Sequence, residues 1–265
     1  MKKKFLYSIT LVLIISACSR VPITKRKQMN LLPESELMAM SLTSYRDFLN
    51  TNPPVSNTAD AAMVKRIGQR ISVAVTKYMN QHGQGSRIKG YNWEFNLVNS
   101  KEANAWCMSG GKVVVYQGLL PLTQDENGLA IVMGHEIAHA VARHGNERMS
   151  QALLAQGIGL SLDLALSQQT AQTRNILLTS YGVGSTLGIL AYSRTHETEA
   201  DKLGLIFAAM AGYDPQKAIP FWQRMSAAGG GKPPELLSTH PSDETRIRNL
   251  REYMPTALKY YKPQG

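Results

Sequence analysis

The chain has 265 residues, 43% of them apolar, enough for one large domain or one domain with short appendages. Its formal net charge is +10, of which Lys2, Lys3 and Lys4 carry 3, leaving +7 once residues 1–17 are removed. The positive charge is scattered, with no arginine-rich helix or aromatic–basic ribbon, so nucleic-acid binding has no support and only a bias toward membrane surfaces remains. Two cysteines, Cys18 and Cys107, cannot build a disulfide framework.

The chain begins Met1-Lys2-Lys3-Lys4 and continues through an apolar stretch from Phe5 to Ile15, the pattern of a signal peptide over residues 1–17. The stretch is too short for a stable membrane span. It ends in Ile15-Ser16-Ala17-Cys18, which resembles the lipobox of bacterial lipoproteins. That resemblance implies cleavage before Cys18 and lipidation of its sulfur and new amino terminus. Several acyl chains on one residue anchor stably where a single chain is marginal. Ser19 replaces the Asp that marks inner-membrane retention in enterobacterial lipoproteins, so the periplasmic face of the outer membrane is expected. An ordinary secretory signal, leaving Cys18 a free thiol, is the alternative. With Cys18 lipidated, Cys107 is unpaired and reads as a small buried hydrophobe.

Residues 18–33, with Arg20, Lys25, Arg26, Lys27, Pro22 and Pro33, read as a membrane tether. A short amphipathic helix is predicted from Glu34 to Leu49, broken at Asn52-Pro53-Pro54. A second, capped by Thr58 or Asp60, carries Ala62, Val64, Ile67, Ile71 and Val75 at helical spacing to about Tyr78. His82 falls in the loop after it and reads as solvated. Tyr91–Val98 alternates apolar and polar residues, the mark of a half-buried strand. Asn104–Met108 and Lys112–Tyr116 flank Ser109-Gly110-Gly111 and predict a hairpin, hence a small antiparallel sheet. An edge strand there would hold an extended substrate by backbone pairing, with Asn104 and Ala105 at its start. Plain core pairing is the alternative, and the sequence does not decide which strand is the edge.

The next helix carries the chemistry. Thr123 and Glu126 suggest a capping box, and Leu129–Met133 leads into Gly134-His135-Glu136-Ile137-Ala138-His139. His135 and His139, four apart, lie one turn above each other on one face. Glu136 sits one step round, within reach of a water on a shared ion. Two neutral imidazoles, a carboxylate and an open position make a catalytic zinc site, with the intervening Glu as general base. The helix is expected to continue through Val141, Ala142 and Arg143. His144 is not a third ligand. In H-E-x-x-H-x-x-G-x-x-H sequences the third His falls where Gly145 stands, and His144 lies off the ligand face.

The third ligand is sought in Ser193–Asp201. A helix there puts Glu197 and Asp201 on one face, the first to complete the ligand set and the second to hydrogen-bond a ligating His. His196 and Glu199 point elsewhere and read as exposed or structural. A thermolysin-like arrangement would need the third Glu far nearer His139 than 58 residues (197 minus 139). No acidic anchor for a substrate amino terminus is evident, which argues against an aminopeptidase. Residues 150–190 predict two helices about a Gln/Thr-rich connection, either a lid or a surface hairpin. Asp214-Pro215 starts a helix whose core face is Phe221, Trp222 and Met225. Gly229–Pro234 reads as a flexible connection, and Ser242 as the cap of a basic C-terminal helix, with residues 257–265 as a tail.

Asn104–Gly111, His135–His139, Glu197-x-x-x-Asp201 and His240-Pro241 with Arg246 occur in this order over about residues 60–250. Together they resemble the CAAX-prenyl-protease-like zinc metalloendopeptidases, the family of the HtpX, BepA and LoiP types; the lipobox is most similar to the LoiP-like lipoproteins. The resemblance implies a mostly α, α+β fold: a zincin-like (gluzincin) core with a small antiparallel sheet beside the H-E-x-x-H helix, in a domain of residues 34–256. It implies one Zn2+ per subunit on His135, His139 and Glu197, with Glu136 as base and Asp201 behind a ligand. His240 and Arg246 would face the zinc, either steadying the oxyanion or, with His240 on the metal, blocking water. The implied partners are unfolded or misfolded polypeptides, a membrane reached through Cys18, and outer-membrane assembly proteins. A chaperone-like assembly factor with latent protease activity is the rival expectation.

Overall fold

The computed structural model describes residues 18–155, 171–181, 192–228, 235–240 and 244–263. The signal peptide, the Gly229–Pro234 link and the Ser242 cap fall outside the described residues, as does the Gln/Thr-rich connection up to residue 170; its remainder, from Ala171, is helical. Two helices open the domain. Helix α1 (Glu34–Thr51) has Glu34 and Glu36 in its first turn, where carboxylates suit the helix dipole, and it buries Leu37, Met40 and Tyr45. Helix α2 (Ala59–Gln81) is capped by Thr58, whose hydroxyl accepts from the Ala61 amide, and it buries Val64, Ile67, Ile71 and Val75. His82 follows it and is exposed, as expected.

The central sheet has strands β3 (Glu94–Val98), β4 (Ala105–Met108) and β5 (Lys112–Tyr116) in the order β3-β5-β4. The hairpin β4–β5 is antiparallel, and Gly110 and Gly111 supply its turn with φ of 84° and 81°. Strand β3 lies parallel to β5, so this sheet is mixed rather than wholly antiparallel. Periodicity fixes which face of β3 is buried, but not the direction of its neighbour. Phe95, Leu97, Cys107, Val113 and Val115 join the main core with α2, while Trp106, Met108, Val114 and Tyr116 pack under α1. Buried and unpaired, Cys107 is the small hydrophobe expected of it.

A short helix α3 (Leu120–Thr123) precedes α4 (Glu126–Val141), which is buried on all sides from Gly128 onward. The cap of α4 is Asp125, which accepts from the Gly128 amide at 2.8 Å, not the predicted Thr123–Glu126 pair. Thr123 instead donates its hydroxyl to the Leu120 carbonyl at 2.9 Å, closing α3. After α4 come α5 (His144–Ala155), α6 (Ala171–Ser180), α7 (Arg194–Met210), α8 (Ala218–Ala227), α9 (Glu235–Thr239) and α10 (Glu244–Leu258). Helices α4 and α7 pack closely, and two glycines set the distance. A Cβ on Gly204 would fall 2.8 Å from the His135 nitrogen, and one on Gly134 would fall 2.9 Å from the Gly204 oxygen. This approach brings residues of α7 within bonding range of the H-E-x-x-H turn. Among the described residues no helix is long and apolar enough to cross a membrane.

Residues 18–33, expected as a tether, are folded onto the domain. Strands β1 (Cys18–Arg20) and β2 (Lys27–Met29) form an antiparallel hairpin, with Val21, Gln28 and Leu32 buried. The buried Arg87 fastens it, donating to the Arg20 carbonyl (2.9 Å) and Gln28 Oε1 (2.8 Å) on the hairpin. The same guanidinium donates to the Val141 (3.0 Å) and Ala142 (2.9 Å) carbonyls, capping the C-terminal end of α4.

Candidate metal centre

Helix α4 presents His135 and His139 on one face, as their spacing predicts, with their Nε2 atoms 3.0 Å apart. Helix α7 brings Glu197 to both: its oxygens lie 3.4 Å from His135 Nε2 and 3.3 Å from His139 Nε2. His240 enters from the segment after α9, its Nδ1 3.0 Å from Glu197 Oε1 and 3.2 Å from His135 Nε2. One donor atom from each of the four buried residues lies within 4.8 Å of the others.

The hydrogen-bond partners fix the tautomers. Asp201, one turn beyond Glu197, accepts from His135 Nδ1 at 2.9 Å. Behind His139, His144 Nδ1 lies 3.0 Å from His139 Nδ1, while His144 Nε2 lies 3.0 Å from Glu199 Oε2. A carboxylate only accepts, so a neutral His144 carries its proton on Nε2, and its Nδ1 accepts from His139. As neutral imidazoles, with Nδ1 of His135 donating to Asp201 and Nδ1 of His139 to His144, the two rings turn bare Nε2 lone pairs toward each other at 3.0 Å. Two lone pairs at that distance repel unless a proton or a metal cation lies between them. The donor set of imidazoles and one carboxylate is that of zinc.

Electrostatics follow from burial. Burial alone would lower both imidazoles; at His135, Glu197 and Asp201 outweigh it and the pKa is raised, whereas His139 is held well below its ordinary value. Burial would raise the Glu197 carboxyl, but His240, Arg246 and His135 hold it well below the usual range. Glu136 goes the other way. Burial, with Glu197 adding repulsion, pushes it up to about 7, against the pull of His240 and Arg246. Its Oε1 is buried without a hydrogen-bond partner among the described residues, 3.5 Å from His240 Nε2.

The other predicted site residues divide. Asp201 sits where expected. Arg246 faces the site, but as a clamp: its guanidinium contacts Glu197 Oε2 at 2.8 Å and Asp201 at 2.7 and 3.0 Å, stacked 3.4 Å over the Trp222 ring. These bonds orient Glu197 and the Asp201 carboxylate behind His135, a positioning contact beside the oxyanion role expected of it. Asn104 is buried and turned onto its own backbone, its Oδ1 accepting from the Ala105 amide at 2.8 Å. Ala105 pairs with Val115, which leaves β4 as the sheet edge packed against α4. That edge is partly covered, since the Leu236 amide of α9 donates to the Ala103 carbonyl at 3.2 Å.

Several residues escaped the sequence reading. The helix was expected to run through Arg143; it ends at Val141, and Arg143 adopts a left-handed φ of 61° that turns His144 back beneath His139. Of the two readings of His196 and Glu199, exposed or structural, the structural one holds: both are buried, and Glu147 and Arg26 join them in one ionic cluster. Tyr192 lies on the His139 ring with centroids 3.9 Å apart. His196 and Glu199, three apart on α7, share a face, but no local pattern pairs that face with His144 or Arg26.

An H-E-x-x-H helix joined at its metal face by a glutamate from a second helix defines a zincin-type metal site. The chain belongs to peptidase family M48, whose model matches residues 64–254, and metallopeptidases of that family use zinc. It is 39% identical over 178 residues to the mitochondrial metalloendopeptidase OMA1 of Schizosaccharomyces pombe, covering 65% of this chain and 50% of that protein. Human mitochondrial metalloendopeptidase OMA1 is 30% identical over 246 residues, 90% of this chain and 46% of its own length. The beta-barrel assembly-enhancing protease of Escherichia coli (strain K12) is 31% identical over 164 residues, 60% of this chain and 34% of its own. The chain thus spans half or less of the length of these relatives.

Proposed function

We propose that this chain is a zinc-dependent metalloendopeptidase of the LoiP-like lipoprotein kind, anchored through Cys18 at the periplasmic face of the outer membrane and cleaving misfolded envelope proteins. The observation that carries the peptidase reading is the convergence of bare His135 and His139 lone pairs with Glu197, beside an unpartnered Glu136 oxygen. The lipobox at Ile15–Cys18 and Ser19 support the location, and the beta-barrel assembly-enhancing relative supports the envelope substrate class.

His135, His139 and Glu197 would hold the zinc. When bound, zinc supplies a Lewis acid and brings the pKa of a coordinated water near neutrality. Glu136, buried beside the ligand histidines, accepts the proton from the attacking water and passes it to the leaving amine. His240, through the ring edge that faces Glu136, steadies charge developing on the carbonyl oxygen. Arg246 and Asp201 keep Glu197 and His135 aimed. The β4 edge holds the peptide extended by backbone pairing, so cleavage needs little side-chain specificity.

One observation favours a second reading, an assembly factor whose protease is latent. His240 Nδ1 is a fourth donor beside the other three, and a zinc held by all four would have no position left for water.

Glu136→Gln tests the base role, and rescue of an assembly phenotype by the same variant would favour the assembly factor. The variant should retain zinc and lose cleavage of an unfolded model protein by roughly 10²–10⁴-fold. Substantial turnover by this variant removes Glu136 from the base role. Envelope fractionation tests the anchor: Cys18→Ala should shift the protein from the membrane pellet to the soluble fraction, and unchanged pelleting would sink the lipid anchor.

A further inference from the structure

We infer that the N-terminal hairpin is part of the metal site: Arg26 and Thr24 hold Glu199, Glu199 holds His144, and His144 holds His139 in the tautomer that leaves its Nε2 free for the ion. The inference rests on the metal-centre reading above and extends it to residues that touch no ligand atom.

The contacts form an unbroken line from the hairpin to the centre. Arg26 donates from Nε to Glu199 Oε1 and from Nη2 to Glu199 Oε2, both at 3.0 Å. The Thr24 hydroxyl donates to the same Oε1 at 2.6 Å. Glu199 Oε2 accepts from His144 Nε2 at 3.0 Å, and His144 Nδ1 meets His139 Nδ1 at 3.0 Å. Arg26 also forks onto Glu147, at 2.7 and 2.8 Å, and Glu147 is held in turn by Gln28 and His196, each at 3.1 Å. His144 is stacked on His196, with centroids 4.5 Å apart, which adds to the contacts that hold its ring.

The direction of this line is forced from its outer end. A guanidinium only donates and a carboxylate only accepts, so His144 Nε2 must donate, its Nδ1 must accept, and His139 Nδ1 must donate. Ligating histidines in general are fixed by such an acceptor behind them. Here the acceptor is another imidazole, which could face either way. The choice is made two residues further out, by the charge on Glu199 and the arginine that keeps it there. A neutral amide at position 199 could donate to His144 Nε2, reverse both imidazoles and place a proton on His139 Nε2, where the ion belongs.

The test uses purified protein and reads metal, not turnover. Zinc dissociation constants are measured by chelator competition, and the cobalt-substituted protein supplies a visible spectrum that reports the geometry of the ligands. Glu199→Gln, nearly the same size, should weaken zinc by roughly 10–100-fold and shift the cobalt spectrum while circular dichroism stays unchanged. Arg26→Ala should weaken zinc in the same direction, and Arg26→Lys, which restores a cationic donor, should recover most of the loss. Wild-type zinc affinity and an unchanged cobalt spectrum in folded Glu199→Gln would overturn the inference, whatever Arg26→Ala does to folding. A folded wild type that takes up no zinc would instead overturn the metal reading itself.

Discussion

The two metal histidines are supported from opposite ends of the chain, and by different means. His135 rests on Asp201 and, through it, on Arg246 of the C-terminal helix α10, and all of these are buried. His139 rests on His144, then Glu199, then Arg26 of the N-terminal hairpin, whose side chain is 28% exposed. The first support is short and closed. The second is longer, and its outer end meets solvent. A closed clamp fixes a ligand rigidly, whereas one that ends at the surface can be altered there without entering the core.

The largest expected effect tests that contrast directly. Arg246→Ala strands the Glu197 and Asp201 carboxylates in the core, and breaking a buried ion pair from one side costs about 3–5 kcal/mol. Arg26→Ala strands Glu147 and Glu199, but water reaches the place the guanidinium leaves, so the loss should be smaller. Urea unfolding of both variants, metal-free, measures the difference. An Arg26→Ala protein that is destabilised as much as Arg246→Ala would mean the N-terminal support is as closed as the C-terminal one.

The same contrast explains what could be read from the sequence. The His135 side is built from short-range patterns: His135 and His139 at i, i+4 on one helix, Glu197 and Asp201 at i, i+4 on another. Each pair shares a face by helix geometry alone, so both were legible. The hairpin was legible because Gly110-Gly111 satisfies the positive φ its turn demands. The His139 side has no such signature. Arg26 reaches its partners across 121 and 173 residues, and the prolines and lysines around it have the composition of a linker. His144 depends on a left-handed Arg143, a conformation no glycine or asparagine announces there. Gly134 and Gly204 are unusual inside helices, yet only the packed structure shows that each exists for the other.

The smallest effect is one of pH, and it belongs to the N-terminal support. Burial would raise the Glu147 carboxyl, but hydrogen bonds from Arg26, His196 and Gln28 outweigh it and hold the pKa well below the ordinary 4.5. A carboxyl depressed by folding is protonated first in the unfolded chain. Its contribution to stability is therefore fully present above pH 4.5 and is lost as pH falls toward the depressed value. Glu199 behaves alike: burial would raise it, but His144, Arg26 and Thr24 bring it down to about 2. Each such proton steepens the decline by at most about 1.4 kcal/mol per pH unit. In Arg26→Ala the main lowering influence on Glu147 is gone and one of those on Glu199 with it, so stability between pH 5 and 3 should fall less steeply than in wild type, from a lower start. Urea midpoints of metal-free protein across that range give both slopes. Parallel curves would mean that the guanidinium does not set these carboxyls, and that the long support of His139 is held by its histidines alone.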